Sequence, residues 1–79
     1  MLTKADFVYY EKVSEQGYSY GHYWLGRMYY EGLVVVQDIQ KAFRLLEQSS
    51  LQGYQRASAF LNTIAEYTPK DGVILSPTM

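Results

Sequence analysis

Two glycines lie inside residues 21–32 (GHYWLGRMYYEG), a stretch that otherwise has the pattern of an amphipathic helix. Small and apolar residues recur at positions 21, 25, 28, 29 and 32, which is the spacing of one helical face. A glycine within a helix costs about 1 kcal/mol relative to alanine. Gly21 and Gly26 therefore predict that another backbone packs closely against this helix.

Capping and stop signals predict two helices in the first half of the chain. Thr3, with Asp6 three residues later, predicts a capping box for a helix from Lys4 to Gln16. Gly17 suits the left-handed residue that ends a helix. A second helix is predicted to follow at once, with Ser19 as its N-cap, Glu31 as its last residue and Gly32 as its stop.

The second half of the chain carries the same kind of signals. Residues 33–37 are predicted to form a link, and Asp38 is predicted to cap a third helix that Gly53 ends. A fourth helix is predicted from about Gln55 to Tyr67, because Pro69 cannot continue a helix.

The chain also repeats itself. A shift of 36 residues gives seven identities among the 28 pairs that start from residues 5–32. The identical pairs are Phe7 and Phe43, Glu11 and Glu47, Ser14 and Ser50, Gln16 and Gln52, Gly17 and Gly53, Tyr18 and Tyr54, and Leu25 and Leu61. A period in the thirties built from two helices indicates stacked helical hairpins. The predicted fold is all-α, a short α-solenoid of about four antiparallel helices with an irregular C-terminal tail.

The order Leu25-Gly26-x-Met28-Tyr29-x-x-Gly32, followed by Val35, Asp38, Lys41-Ala42, Glu47 and Gly53, resembles the Sel1-like repeat, a relative of the tetratricopeptide repeat. The resemblance covers about residues 5–65, as one complete unit between two half units. It implies a helical repeat domain over residues 1–68 and a separate tail over residues 69–79.

Three positions depart from the family pattern. Val34 stands where the family usually has glycine, so the link is expected to turn differently. Asn62 and Ala65 stand where the last helix would have the family's glycine and tyrosine, which is typical of a terminal cap of a solenoid. In the tail, residues 73–75 (VIL) are expected to fold back over the last helix, or else to dock on another chain.

Composition excludes several classes of function. The chain has no cysteine and one histidine, so disulfides, thiolate zinc sites and an unaided metal site are excluded, and no cofactor is expected. The net charge is -1 with mixed signs, which disfavours nucleic-acid binding. The first residues lack a signal-peptide core, and the longest aliphatic run, residues 33–36, is too short to span a membrane. The expected location is cytoplasmic.

No catalytic group of residues stands out. His22 has no cysteine or nucleophilic serine motif to act with, so it is expected to pack beside Tyr18 or Trp24. Asp38 is explained as a helix cap, and Glu11 and Glu47 as solvated helix residues. The chain is not expected to be an enzyme.

The resemblance implies that the first helix of each hairpin lines a concave surface. With Leu25, Met28 and Tyr29 buried, the residues expected to face that surface are Tyr20, Tyr23, Arg27, Tyr30 and Glu31, with Trp24 adjoining. Tyrosine, tryptophan and arginine are enriched at binding hot spots. The equivalent positions on the last helix are Arg56, Ala59, Thr63 and Glu66.

Three functions remain open for this aromatic face. It is expected to bind one partner protein, with the chain as a non-catalytic adaptor or a small stoichiometric inhibitor. Alternatively, it is the interface of a self-assembling structural protein. In the third case, the aromatic residues only cover the first helix. A chain of 79 residues is small for independent folding, which favours a partner or self-association.

Overall fold

Four helices make up the computed structural model, which describes the backbone of residues 2–67 and the side chains up to residue 64. They are α1 (Lys4–Glu15), α2 (Ser19–Glu31), α3 (Ile39–Leu51) and α4 (Gln55–Tyr67), and the described range contains no strand. Each helix packs against the next one along the chain. The predicted all-α repeat fold is confirmed. The expectations for Ala65, Glu66, Pro69 and the tail lie outside the described residues and side chains.

Two predicted caps are present. The Thr3 hydroxyl accepts a bond from the Asp6 N–H at 3.3 Å, and an Asp6 carboxylate oxygen accepts from the Thr3 N–H at 2.8 Å, which completes the capping box. Asp38 Oδ1 accepts from the Lys41 N–H at 3.1 Å and starts α3 in the same way. Helix α1 ends at Glu15, one residue before the predicted end.

The prediction of Ser19 as the N-cap of α2 is wrong. The cap is Tyr18, whose carbonyl accepts the first helical bond from the His22 N–H at 3.1 Å and whose side chain makes no capping bond. Ser19 is the first helical residue. Its carbonyl accepts a 2.8 Å bond from the Ser49 hydroxyl, which joins the start of α2 to α3.

The link between α2 and α3 contains one strained residue. Gly32 ends α2 in the left-handed conformation, and the Gln37 side chain and the Asp38 N–H then bond carbonyls at the end of α2, at 2.8 Å and 2.9 Å. Within this link Val34 has a φ of 70°. A β-branched residue rarely adopts a positive φ. Val34 therefore has the positive φ that glycine adopts easily, although it is a valine.

Close helix contacts explain the two glycines inside α2. A Cβ atom on Gly21 would lie 2.5 Å from the backbone nitrogen of Ser14, and one on Gly26 would lie 2.9 Å from Cγ of Leu46. Gly21 thus allows α1 to approach, and Gly26 allows α3 to approach. Around these contacts the most buried large side chains are Met28 and Leu46.

Candidate protein-interaction face

Aromatic rings of α1 and α2 form a continuous surface. Tyr10 contacts Tyr9 at 5.3 Å and Tyr20 at 5.7 Å between ring centroids, and it stacks on Trp24 at 5.8 Å with an interplanar angle of 21°. We name these four residues, together with Arg27, the aromatic strip. Tyr9 is 57% exposed and Tyr20 42% exposed, so the strip combines ordered rings with accessible surface.

Arg27 closes one end of the aromatic strip. Its guanidinium carbon lies 4.6 Å from the centroid of the Phe60 ring and 5.8 Å from that of Trp24. Its Nε donates to a carboxylate oxygen of Glu31 at 3.1 Å, and its Nη2 pairs with the same oxygen. Burial lowers the pKa of Arg27, but the hydrogen bonds with Glu31 and Tyr23 outweigh it, so this pKa lies above its usual value. The arginine is fixed, charged and paired.

Tyr23 lies beneath this surface instead of on it. Its side chain is 5% exposed, and its ring contacts Trp24 at 5.2 Å, Tyr54 at 5.3 Å and Phe60 at 6.4 Å. The expectation that Tyr23 faces outward is therefore wrong, because α4 and the residue before it cover the ring. The Tyr23 hydroxyl accepts a 3.3 Å bond from Arg27 and so supports the strip from below.

The other two expected face residues differ from each other in exposure. Tyr30 is half-buried, with its ring edge-on to Phe43 at 6.3 Å and to Phe60 at 5.6 Å. Glu31 is exposed. Tyr20, Trp24, Arg27 and Glu31 follow one another along α2 at helical spacing, whereas Tyr23 and Tyr30 contact α4. The expected continuation on α4 is polar and exposed at Arg56 and Thr63, with the small Ala59 between them.

The inward side of α2 is mostly as predicted. Leu25 and Met28 are buried. Tyr29 is half-buried, with its ring edge-on to Phe7 at 5.9 Å and the Lys41 ammonium 4.9 Å from its centroid. Its burial is partial because one side of the ring is covered only by the exposed side chain of Lys41.

Two polar groups in the aromatic strip have unusual surroundings. The indole N–H of Trp24 is buried and has no hydrogen-bond partner among the residues that the structure describes. The side chain of Tyr20, aided by burial, raises the pKa of Tyr10 to about 12. A tyrosine hydroxyl is already neutral at physiological pH, and the raised pKa moves its ionisation further from that range. Apart from the Arg27–Glu31 pair, the strip presents aromatic area without charge.

A polar pair inside the first hairpin escaped the sequence analysis. His22 is buried, and its Nδ1 shares a 2.6 Å hydrogen bond with the buried hydroxyl of Ser14. Burial lowers the pKa of His22. At the equivalent positions 36 residues later, Ser50 and Ser58 share a 2.5 Å hydrogen bond. The identity of Ser14 and Ser50 in the repeat was the only sequence signal for the Ser14–His22 pair. The hydrogen bond of this pair joins α1 to α2.

The described part of the chain has neither a metal-binding cluster nor a helix suited to a membrane. Residues 2–67 contain no group of three or more histidine or acidic residues placed to hold a metal ion. Within the same range, no helix has the length and apolar character needed to cross a membrane.

Comparison with known families identifies the repeat. The family model of the Sel1 repeat matches residues 19–54, which contain α2, the link and α3. The length of this match equals the 36-residue internal period. No curated protein and no solved structure matches the chain. Sel1 repeats are non-catalytic modules that mediate protein–protein interaction. Residues 19–54 are therefore a Sel1-like repeat.

Proposed function

We propose that this chain binds one partner protein through the aromatic strip, as a small adaptor or stoichiometric inhibitor. The observation that carries the proposal is the run of ordered but accessible rings that ends at Arg27, which packs over Phe60 and Trp24. Of the residues expected from the sequence, Tyr20, Trp24, Arg27 and Glu31 make the contact. Tyr23 supports Arg27 from below through its hydroxyl, and Tyr30 packs against Phe60, over which Arg27 lies.

Preorganisation is the physical argument for binding. Ordering a free side chain at an interface costs about 0.5–1.5 kcal/mol. The rings of Tyr10, Tyr20 and Trp24 already fix one another, and Glu31 and Tyr23 already fix Arg27. A partner therefore gains aromatic contact without ordering these groups again. Tyrosine, tryptophan and arginine are also the residues that dominate binding energy when they are packed in this way.

The charge of the strip indicates what kind of partner surface it fits. Arg27 and Glu31 neutralise each other, and the remaining strip residues are uncharged aromatics. A complementary surface is therefore apolar, with polar groups at its rim. We expect binding to change little with salt concentration, since a contact surface with almost no net charge offers little long-range attraction for salt to screen.

Photo-crosslinking tests this contact directly. A photoreactive phenylalanine analogue is placed at Tyr20, inside the strip, and in a second protein at Tyr18. Tyr18 is a good control because it is an equally large residue, 61% exposed, that makes none of the ring contacts of the strip. We expect the Tyr20 probe to give one dominant crosslinked protein and the Tyr18 probe to give none. Equal crosslinking from both positions would contradict the proposal.

A matched pair of variants tests the energetics of the same contact. Tyr20→Ala combined with Arg27→Ala is expected to weaken capture of the crosslinked partner at least about tenfold, since hot-spot truncations cost about 2 kcal/mol or more. Tyr18→Ala is expected to leave capture unchanged. Tyr23 is unsuitable for this test because its ring is in the core and its removal would disturb folding. Circular dichroism checks that both variants remain helical.

The photo-crosslinking experiment also tests the alternative of self-assembly. If the Tyr20 probe joins two copies of this chain, the strip is a homo-oligomer interface, and the proposal of a foreign partner fails. Light scattering over a range of concentrations would then show a dimer that Tyr20→Ala dissociates.

A further inference from the structure

The link between α2 and α3 exposes a second apolar surface. Three of its aliphatic side chains are exposed, at 39% for Leu33, 46% for Val34 and 88% for Val36, and Ile39 at the start of α3 is 40% exposed. We name these four residues the aliphatic patch. Isolated exposed apolar residues are common in proteins, whereas a group of them typically marks a binding surface. The patch lies in the middle of the chain, between two helices that are both described.

Hydrogen bonds at both ends of the link hold the aliphatic patch in place. The Leu33 N–H bonds the Met28 carbonyl at 3.0 Å. The Gln37 side chain and the Asp38 N–H bond carbonyls in the last turn of α2, at 2.8 Å and 2.9 Å. A partner therefore meets aliphatic side chains on a loop whose ends are already ordered, which lowers the entropy cost of binding.

Val34 is both strained and exposed. Its φ of 70° is one that glycine adopts freely and that a β-branched residue rarely adopts. Because 46% of the residue is exposed, its side chain also buries little apolar area in the fold. The side chain of Val34 thus adds little to the stability of the chain. Backbone outliers of this kind cluster at binding sites, where the contact that they make offsets the strain.

The chemistry of the link favours a protein partner over a lipid surface. Residues 32–37 include no lysine or arginine that would attract anionic lipid headgroups. The backbone N–H and C=O groups of residues 34–36 make no hydrogen bond within residues 2–67. In hydrocarbon these groups would stay unsatisfied, whereas an extended protein segment supplies donors and acceptors for them.

The size of the aliphatic patch argues against a second copy of the link as the partner. Each side of a stable protein–protein interface contributes roughly 20–30 residues, and two patches of four residues fall far short of this. The patch instead suits the extension of a contact that begins elsewhere. Glu31, which pairs with Arg27 of the aromatic strip, is the last residue of α2 and lies two positions before Leu33.

We propose that the protein bound by the aromatic strip also places an extended, uncharged aliphatic segment on the aliphatic patch. This inference rests on the proposed function, because the patch is too small to hold a partner alone. Tyr20 and Glu31 are 11 residues apart on α2. That separation is about 17 Å at roughly 1.5 Å per helical residue, which five or six extended residues cover at roughly 3.3 Å each.

Photo-crosslinking from the aliphatic patch tests this placement. The photoreactive phenylalanine analogue is placed at Val36, and Gln48 is the control position because it is exposed on α3 outside the patch. We expect the Val36 probe to crosslink the same protein as the Tyr20 probe, at an uncharged aliphatic stretch within about ten residues of the Tyr20 crosslink. We expect the Gln48 probe to give no such product. Mass spectrometry of the crosslinked peptides locates both sites.

The outcomes separate this inference from the proposed function. A partner that crosslinks to the Tyr20 probe but not to the Val36 probe overturns the inference and leaves the proposed function in place. A Val36 crosslink to a charged stretch of the partner, or to a second copy of the chain, has the same meaning. If the Tyr20 probe gives no partner, the proposed function fails, and this inference fails with it.

Two variants measure the contact with the crosslinked partner after its purification. Val36→Asp should weaken binding at least about tenfold, because a carboxylate would be buried against aliphatic side chains, whereas Gln48→Asp should leave binding unchanged. Val36 is 88% exposed, so Val36→Asp should remain folded. Val34→Gly should weaken binding about threefold although it relieves strain, since it removes a contacting side chain. Unchanged binding of Val36→Asp would overturn the inference.

Vesicle flotation tests the lipid alternative for the same patch. We expect the chain to remain unbound in the presence of vesicles of phosphatidylcholine and phosphatidylserine. Flotation that Val36→Asp abolishes would show that the aliphatic patch enters a membrane, and the inference of a protein segment would fail.

Discussion

The two hairpins of this chain, α1–α2 and α3–α4, agree in their turns and differ in the surfaces that face the next helix. After α1, the Gly17 N–H bonds the Ser14 carbonyl at 2.9 Å. After α3, the Gly53 N–H bonds the Ser50 carbonyl at the same distance. Each hairpin is then fastened by a side-chain bond from that serine, at 2.6 Å to His22 in the first and 2.5 Å to Ser58 in the second. The turn residues and their geometry are therefore both repeated, whereas the partner of the serine changes from His22 to Ser58.

The surfaces on which a following helix would pack differ between the two hairpins, and among residues 2–67 only the surface of α2 is covered by a following helix. On α2, Gly26 sits against Leu46 and Ala42 of α3. On α4, the equivalent Asn62 is exposed. The difference teaches that glycine is present in this chain where α3 packs closely on α2, and that asparagine stands at the equivalent position of α4, which no helix among residues 2–67 covers.

Exchanging these two residues gives the largest expected effect. Gly26→Asn places a side chain into the α2–α3 contact and should lower the free energy of unfolding by about 3 kcal/mol, the upper range for overpacking. Asn62→Gly should cost about 0.5 kcal/mol, the difference in helix propensity at an exposed site. Urea unfolding followed by circular dichroism measures both. A similar loss in the free energy of unfolding for the two variants would contradict the proposed difference between the covered surface of α2 and the exposed position on α4.

Local signals explain why so much of the fold could be predicted from the sequence. The caps at Thr3 and Asp38 and the stop at Gly32 each depend on residues within one turn of the helix end. The close contacts of Gly21 and Gly26 were also predictable, because a glycine inside a helix needs a neighbouring helix to explain it. The structure then identifies that neighbour as α1 for Gly21 and α3 for Gly26.

Contacts between distant elements explain what the sequence analysis missed. Helical spacing puts Tyr20, Tyr23 and Arg27 on one face. It does not show that Tyr54 and Phe60 bury the ring of Tyr23, whereas Arg27 lies over Phe60 and stays partly exposed. The Ser14–His22 bond was missed for a similar reason, since a lone histidine gives no indication of which serine lies beside it. Pairing across helices, unlike capping, requires the packed structure.

The serine contacts that fasten the two hairpins should differ in strength. Ser14→Ala leaves the buried Nδ1 of His22 without a partner, which should cost about 2 kcal/mol, the usual penalty for an unsatisfied buried group. Ser50→Ala affects a half-buried pair whose remaining hydroxyl is closer to water, and should cost about 0.5–1 kcal/mol. Thermal and urea unfolding compare the two variants. A larger loss for Ser50→Ala would show that burial does not set the difference.

The histidine should also make the first hairpin sensitive to pH. Because burial lowers the pKa of His22 from 6.5, the unfolded chain binds a proton at a higher pH than the folded chain does. Stability from this group is fully present above pH 6.5 and decreases as the pH falls below that value towards the lower folded pKa. His22→Asn should remove this part of the dependence while the acidic residues keep theirs. Urea midpoints are measured between pH 5 and pH 8 for the unsubstituted chain and for His22→Asn. An identical change with pH in both proteins would contradict this account.

The smallest effect concerns the link that joins the two hairpins. Val34 has a φ of 70°, so Val34→Gly should relieve backbone strain and raise the free energy of unfolding by about 0.5–1 kcal/mol, after the entropy that glycine adds to the unfolded chain. Val36 is the matched control because it lies in the same link, is exposed and does not share the positive φ. Val36→Gly should therefore destabilise by about 0.5 kcal/mol through the same entropy term. Urea unfolding of the two variants should give shifts of opposite sign. A loss of stability in both would show that the backbone of the link is not strained at Val34.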